Sequence, residues 1–228
     1  MTILRKKKNV NKSGFEAYLI GLKRRSLFCR VPRKSMIDWS LHRYREVVTM
    51  PDDYTVLDLS GGQWTTPGTD FSIGKYDEIR PGMYNTEIFG GERSLHVGID
   101  IGGPVGTPCM AFADGEVSHF GYNPEPGDYG NVVITKHDIG GTAVWALYGH
   151  MDAASIEGKS VGQKVSAGEV IAWFGAHHEN GGWEPHLHFQ LSLVEPETHD
   201  LPGVVAPEER AQALLDYPDP RLVLGPLY

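Results

Sequence analysis

The sequence predicts a mainly β protein, an antiparallel β-sandwich or partly open barrel. Short runs of β-branched and aromatic residues recur from Leu95 to Leu193, separated by glycine turns, and only one late stretch has helical character. The 28 glycines and 15 prolines among 228 residues fit a turn-rich chain. With 40% hydrophobic and 22% charged residues, the chain has the means to bury a core.

Four parts follow in order: a basic N-terminal segment (1–48), a loop-rich lead-in (49–92), a β-rich domain (93–195) and a tail with one short helix (196–228). Residues 1–46 hold 13 Lys and Arg against three acids, whereas the rest holds 8 against 26. Such a division reads as a basic arm on an acidic body. The arm carries Leu27, Phe28, Val31, Met36, Ile37, Trp39 and Leu41 and no nucleic-acid-binding motif. It is therefore expected to dock on the acidic body, and no nucleic-acid partner is expected.

No run approaches the roughly 20 apolar residues of a membrane span. The stretch Phe15–Leu22 contains Glu16 and runs into Lys23, Arg24 and Arg25, so it does not read as a signal peptide, which favours a cytoplasmic location. Cys29 and Cys109 lie 80 positions apart and form no zinc-ribbon or disulfide framework. Cys109, in an apolar strand context, is expected to be a small buried side chain.

From Pro51 to Arg93 the glycine and proline turns mark loops of the kind that line a neighbouring site. Then come strands at Glu116–Phe120, Asn131–Lys136 and Thr142–Tyr148, the last two joined at Gly140-Gly141. Val165 and Val170–Phe174 read as a pair across Gly168-Glu169, and His186–Leu193 alternates. Ala206–Leu215 reads as one helix, with Pro207 in its first turn and Pro218 and Pro220 stopping it.

Nine of ten histidines lie after residue 46. On a strand, even spacing puts side chains on one face, so His186 and His188 project together. His96 and Asp100 share a face too if their segment is extended, with Val97, Ile99, Leu187 and Phe189 turned into the core. Two histidines and a carboxylate suit a catalytic zinc that keeps one position for water, so these four residues could supply three ligands and a catalytic histidine. His150 follows an aromatic strand. No His-Glu-x-x-His helix is present.

Seven blocks occur in order: His96-Val97-Gly98-Ile99-Asp100-Ile101, Pro104–Pro108, Ala111–Val117, Tyr129-Gly130-Asn131, Leu147–Met151, Gly162–Val165 with Gly168, and Pro185–Phe189. Together they resemble the lysostaphin-type, or β-lytic, zinc metalloendopeptidases that cleave bacterial cell-wall peptides. The resemblance spans roughly residues 93–193. It implies one zinc per chain on His96, Asp100 and His188, with His150 and His186 as the non-ligand catalytic pair. It implies a groove over the metal and a cell-wall (peptidoglycan) peptide as substrate. The stretch from Asp70 to Arg93 resembles the lead-in of a family subgroup without signal peptide.

In the family, upstream segments can cover the groove, which makes Asn85 or Glu87 a candidate inhibitory donor; a plain turn residue is the other reading of Asn85. His177 and His178 are expected in a solvated loop, His119 and His137 on strands, and His42 and His199 outside the site. Tyr148 and Trp183 either shape the groove or pack. Two other functions compete: a phosphocarrier-like β-sandwich, which needs no Asp100, and a catalytically silent binding or activator member, which would lack one of the five positions.

Overall fold

The computed structural model describes residues 37–62 and 66–228. The docking expected of the basic arm falls mainly on residues outside the described ones, as does Cys29. Among the described residues three short strands come first: β1 (Thr55–Val56), β2 (Ser72–Gly74) and β3 (Glu78–Ile79). β4 (Leu95–His96), β5 (Ile99–Gly102) and β6 (Pro108–Met110) lead to three long strands, β7 (Gly115–Asn123), β8 (Gly130–Ile139) and β9 (Thr142–Met151). β10 (Lys164–Val165), β11 (Val170–Trp173), β12 (His186–Ser192) and β13 (Val204–Val205) follow, then α1 (Arg210–Asp216) and α2 (Arg221–Leu224).

The protein is mainly β, as the sequence predicts. Eight strands form one sheet in the order β1-β2-β5-β12-β9-β8-β7-β10, and β11-β6 and β13-β4-β3 make two smaller sheets. Among the described residues every strand pairing is antiparallel except that of β1 with β2. The β8–β9 hairpin closes on Gly140 and Gly141 at φ 62° and 81°, the left-handed geometry of a tight two-residue turn that glycine adopts without strain. The lead-in is woven into the sheets, since β2 pairs with β5 and β3 with β4.

One expected pairing does not form. Val165 does not pair with Val170–Phe174 across Gly168-Glu169; β10 pairs with β7, and β11 with β6. The turn itself is bonded to a third segment, Gly168 N–H donating to Ala111 and Ala111 N–H to Glu169. These long-range bonds split the local hairpin between two sheets. At the C-terminus, Pro207–Glu209 form a 3₁₀ turn that leads into α1. Pro220, expected only to stop that helix, sits at the N-cap of α2, an element the sequence reading lacked.

The central strands are covered on both faces. Leu187, Phe189 and Leu191 pack with Ile99, Tyr148, Phe112 and Phe174 in the main core. On the other face Tyr129, Val132, Ile134, Trp145, Leu147 and Leu201 form a second cluster. That is why the polar face of β12 is buried too, with Gln190 and Ser192 at 0% exposure. Cys109 is fully buried on β6, its Sγ 3.8 Å from Met151 Sδ. Among the described residues, no helix is long and apolar enough to cross a membrane.

His137, on β8, is a packing residue whose Nε2 meets Thr135 Oγ1 at 2.7 Å and whose Nδ1 donates to the Asp114 carbonyl. Burial lowers its pKa to about 4. Between about 4 and 6.5 the unfolded chain therefore binds a proton that the folded one refuses, and stability falls as pH falls through that window. The loss is of order 3 kcal/mol at full extent. Urea titrations from pH 4.5 to 7.5 should show a flatter pH dependence for His137→Gln than for wild type; equal slopes would refute this.

Candidate metal centre

β12 places His186 and His188 on one face, and cross-strand pairing puts Asp100 of β5 opposite His188. His96 arrives by another route. It lies on β4 in the three-stranded sheet, and the chain crosses to the eight-stranded sheet at Val97-Gly98 before Asp100. The pair therefore does not share one extended strand; the crossing between sheets brings the two together. Val97, Ile99, Leu187 and Phe189 are all buried at 0% exposure, as alternation predicts. A Cβ on Gly98 would stand 2.5 Å from the His188 ring, so only glycine lets the crossing pass this close.

His96 Nε2, His188 Nδ1 and Asp100 Oδ1 form a nearly equilateral triangle. The sides are 3.1 Å between the histidines, 3.2 Å from His96 to Asp100 and 3.1 Å from His188 to Asp100. Ligand atoms about 2.0–2.1 Å from a tetrahedral zinc lie about 3.3–3.4 Å apart, so the triangle has the right size.

The protons make the stronger test. His96 Nδ1 donates to the Lys75 carbonyl at 2.9 Å, which leaves Nε2 as a bare lone pair. Gln190 Nε2 donates to the Pro202 carbonyl, so its Oε1 faces His188 Nε2 at 3.0 Å and takes that proton. His188 Nδ1 is then a lone pair as well. Burial, with the charge of Arg80 nearby, lowers His96 to about 4. Burial alone would raise Asp100, but the charged surroundings, the Arg80 guanidinium among them, outweigh it and hold the carboxyl well below the usual carboxylate range. Three acceptors thus face one another with no proton between them, an arrangement that repels unless a cation sits among them. These residues fit a metal ion and form the candidate metal group among the described residues.

His150 and His186 flank the triangle, their ring centroids 4.2 Å apart. His150 Nδ1 donates to the Asn180 carbonyl at 2.8 Å, and His186 Nδ1 to the Glu184 carbonyl at 2.7 Å. Both therefore present Nε2 as an acceptor, and His186 Nε2 lies 3.8 Å from Asp100 Oδ1. Burial lowers the pKa of each, His150 well below its ordinary value. His150 has φ 69°, left-handed for a non-glycine, at a bulge where β9 leaves register with β8. Its backbone is held there by bonds to the Tyr129 carbonyl and from Gly175 N–H. Asn180, fully buried, ties the 175–183 loop through the Gly175 and Trp183 carbonyls and the Gly182 and Trp183 N–H groups.

All five histidine and aspartate positions line one cavity of about 280 Å³. Its other walls include Leu57, Leu59, Tyr84 and Phe89 of the lead-in, together with Tyr129 and Trp183. Tyr148 packs in the core instead, its hydroxyl on the Met110 carbonyl. Asn85 donates to the Gly82 carbonyl in an exposed turn, and neither it nor Glu87 lines the cavity. His177 and His178 lie in the loop after β11, and His119, His137, His42 and His199 stand outside the cavity. Arg80, Gln190, Asn180 and Tyr129 support the five residues and were not among the sequence candidates for chemistry.

The profile of peptidase family M23 matches residues 94–199. Those residues are an M23 peptidase domain. This is the lysostaphin-type family that the motifs resemble, and its matched span contains all five positions. The chain is 36% identical over 136 residues to the DD-carboxypeptidase/endopeptidase Mpg of Neisseria meningitidis, an alignment covering 53% of this chain and 29% of that protein. It is 34% identical over 109 residues to the glycyl-glycine endopeptidase ALE-1 of Staphylococcus capitis, covering 48% and 27%. With the murein hydrolase activator NlpD of Escherichia coli the identity is 35% over 105 residues, covering 46% and 25%. The chain thus spans less than a third of the length of these relatives.

Proposed function

We propose that this chain is a zinc-dependent endopeptidase that hydrolyses a peptide bond in bacterial cell-wall peptides. The observation that carries the reading is the triangle of three unprotonated donors beside two histidines whose Nε2 atoms are free to accept. His96, Asp100 and His188 would hold the zinc, and two nitrogens with one carboxylate oxygen suit that ion. Zinc bound there supplies a water of lowered pKa and polarises a carbonyl.

The chain's own part is proton transfer and orientation. The backbone carbonyls of Asn180 and Glu184 lock His150 and His186 in the Nδ1–H tautomer, so each can take a proton at Nε2. The histidine that takes the proton of the attacking water at Nε2 becomes the imidazolium that hands that same proton to the departing amine, and so returns to its starting tautomer. The Tyr129 ring, 5.4 Å from His150 and 5.2 Å from His188, keeps both imidazoles in place.

The likeness to a protein named as a murein hydrolase activator supports a second reading, a wall-bound activator without chemistry of its own. Incubating zinc-loaded protein with purified peptidoglycan separates the two. Release of soluble peptides with new amine ends, abolished by a chelator and restored by zinc, is the expected result. Zinc-loaded protein that releases nothing but speeds a separate wall hydrolase would replace the peptidase reading with the activator one.

A further inference from the structure

We propose that Arg80 is a positioning residue of the metal centre, holding Asp100 to a single metal-facing oxygen. The inference rests on the zinc reading above and extends it upstream of residues 94–199. Arg80 is 2% exposed. Its Nη1 donates to Asp100 Oδ2 at 2.7 Å, while Asp100 Oδ1 points to the two ring nitrogens. The carboxylate is thus divided, one oxygen for the guanidinium and one for the metal.

The guanidinium is itself held. Nε donates to Glu78 Oε2 at 2.9 Å, Nη1 also reaches Tyr84 Oη at 3.0 Å, and Nη2 donates to the Lys75 carbonyl at 3.2 Å. That same carbonyl accepts from His96 Nδ1. One planar group therefore links two of the three candidate ligands. Glu78 is fixed in turn by Leu59 N–H at 3.1 Å and Lys75 Nζ at 3.2 Å. Strand pairing sets the frame, with Gly74 opposite Asp100 and Glu78 opposite His96.

Gly74 is part of the fit: a Cβ there would lie 2.9 Å from both Arg80 Nη2 and Asp100 Oδ2. A free carboxylate can offer a metal one oxygen or two. With Oδ2 engaged by Arg80, the protein supplies three donors and leaves a position open for water. Lysine, a point charge, cannot span the same set of acceptors.

The test uses the full chain, zinc affinity by competition with a chromophoric chelator, and the absorption spectrum of the cobalt-substituted protein. Arg80→Gln should bind zinc about 10–100-fold more weakly. Its cobalt bands should weaken as Asp100 adds its second oxygen and the coordination number rises. Arg80→Lys should give an intermediate loss. Gly74→Ala keeps both partners but drives a methyl between them, and should reproduce the spectral change even where Arg80→Gln fails to fold. Wild-type affinity and spectrum in folded Arg80→Gln or in Gly74→Ala would overturn the inference. A wild-type chain that takes up neither zinc nor cobalt would instead fail the zinc reading itself.

Discussion

A His188→Ala chain is expected to retain almost no zinc, where the wild type retains about one ion per chain. The residue supplies one corner of the triangle, and its removal leaves His96 Nε2 and Asp100 Oδ1 as a two-donor site. Two donors hold zinc far more weakly than three. Because the metal binds the folded site only, its loss should also show in stability. At a free zinc concentration 100 times the dissociation constant, binding adds about 2.7 kcal/mol. For a chain of this size that raises the melting temperature by roughly 5–10 °C. The wild type should show this rise on zinc addition and His188→Ala should not. Metal analysis by mass spectrometry and melting curves with and without zinc check both, and a variant that keeps its zinc would remove His188 from the ligand set.

Part of this site was legible because it depends on local periodicity. His186 and His188 needed only an alternating strand, and β12 supplies it. His96 and Asp100 depended instead on a chain crossing between two sheets, which alternation does not encode; the motif spacing carried that pair where strand geometry did not. Arg80 was missed because its partners are long-range: Asp100 is 20 residues away, and the contact exists only once β2 has paired with β5 and β3 with β4. A signal was present in Tyr76-Asp77-Glu78-Ile79-Arg80, where two opposite charges at i and i+2 fall on one face of an extended segment. Asn180 gave less warning, since an asparagine in a glycine-rich loop reads as a turn residue until its four bonds are seen. The pairing of Val165 failed for the opposite reason. The local turn was real, but bonds from it to Ala111 led each flanking strand to a different sheet.

The two flanking histidines should behave unlike the three proposed ligands. His150→Asn and His186→Asn are each expected to keep zinc while lowering kcat about 10²–10⁴-fold, the range that a positioned acid or base contributes. Asparagine is the right replacement at 150 because it tolerates the left-handed backbone at φ 69° that alanine would strain. Burial lowers the pKa of both histidines, so each stays neutral, and able to accept a proton, below the ordinary value of 6.5. The sign follows: activity should persist into mildly acidic solution and fall as pH drops through the lowered value, with the acid limb of kcat/KM below 6.5. Removing the base should abolish that limb in the residual rate. The measurement is a pH–rate profile on zinc-loaded wild type and each variant, with metal content determined on the same samples. An acid limb above 6.5 in the wild type would mean that these imidazoles do not set it. Loss of zinc in either variant would move that histidine from proton transfer to metal binding, and would leave three histidines and Asp100 competing for a site in which the proposed chemistry needs one open position.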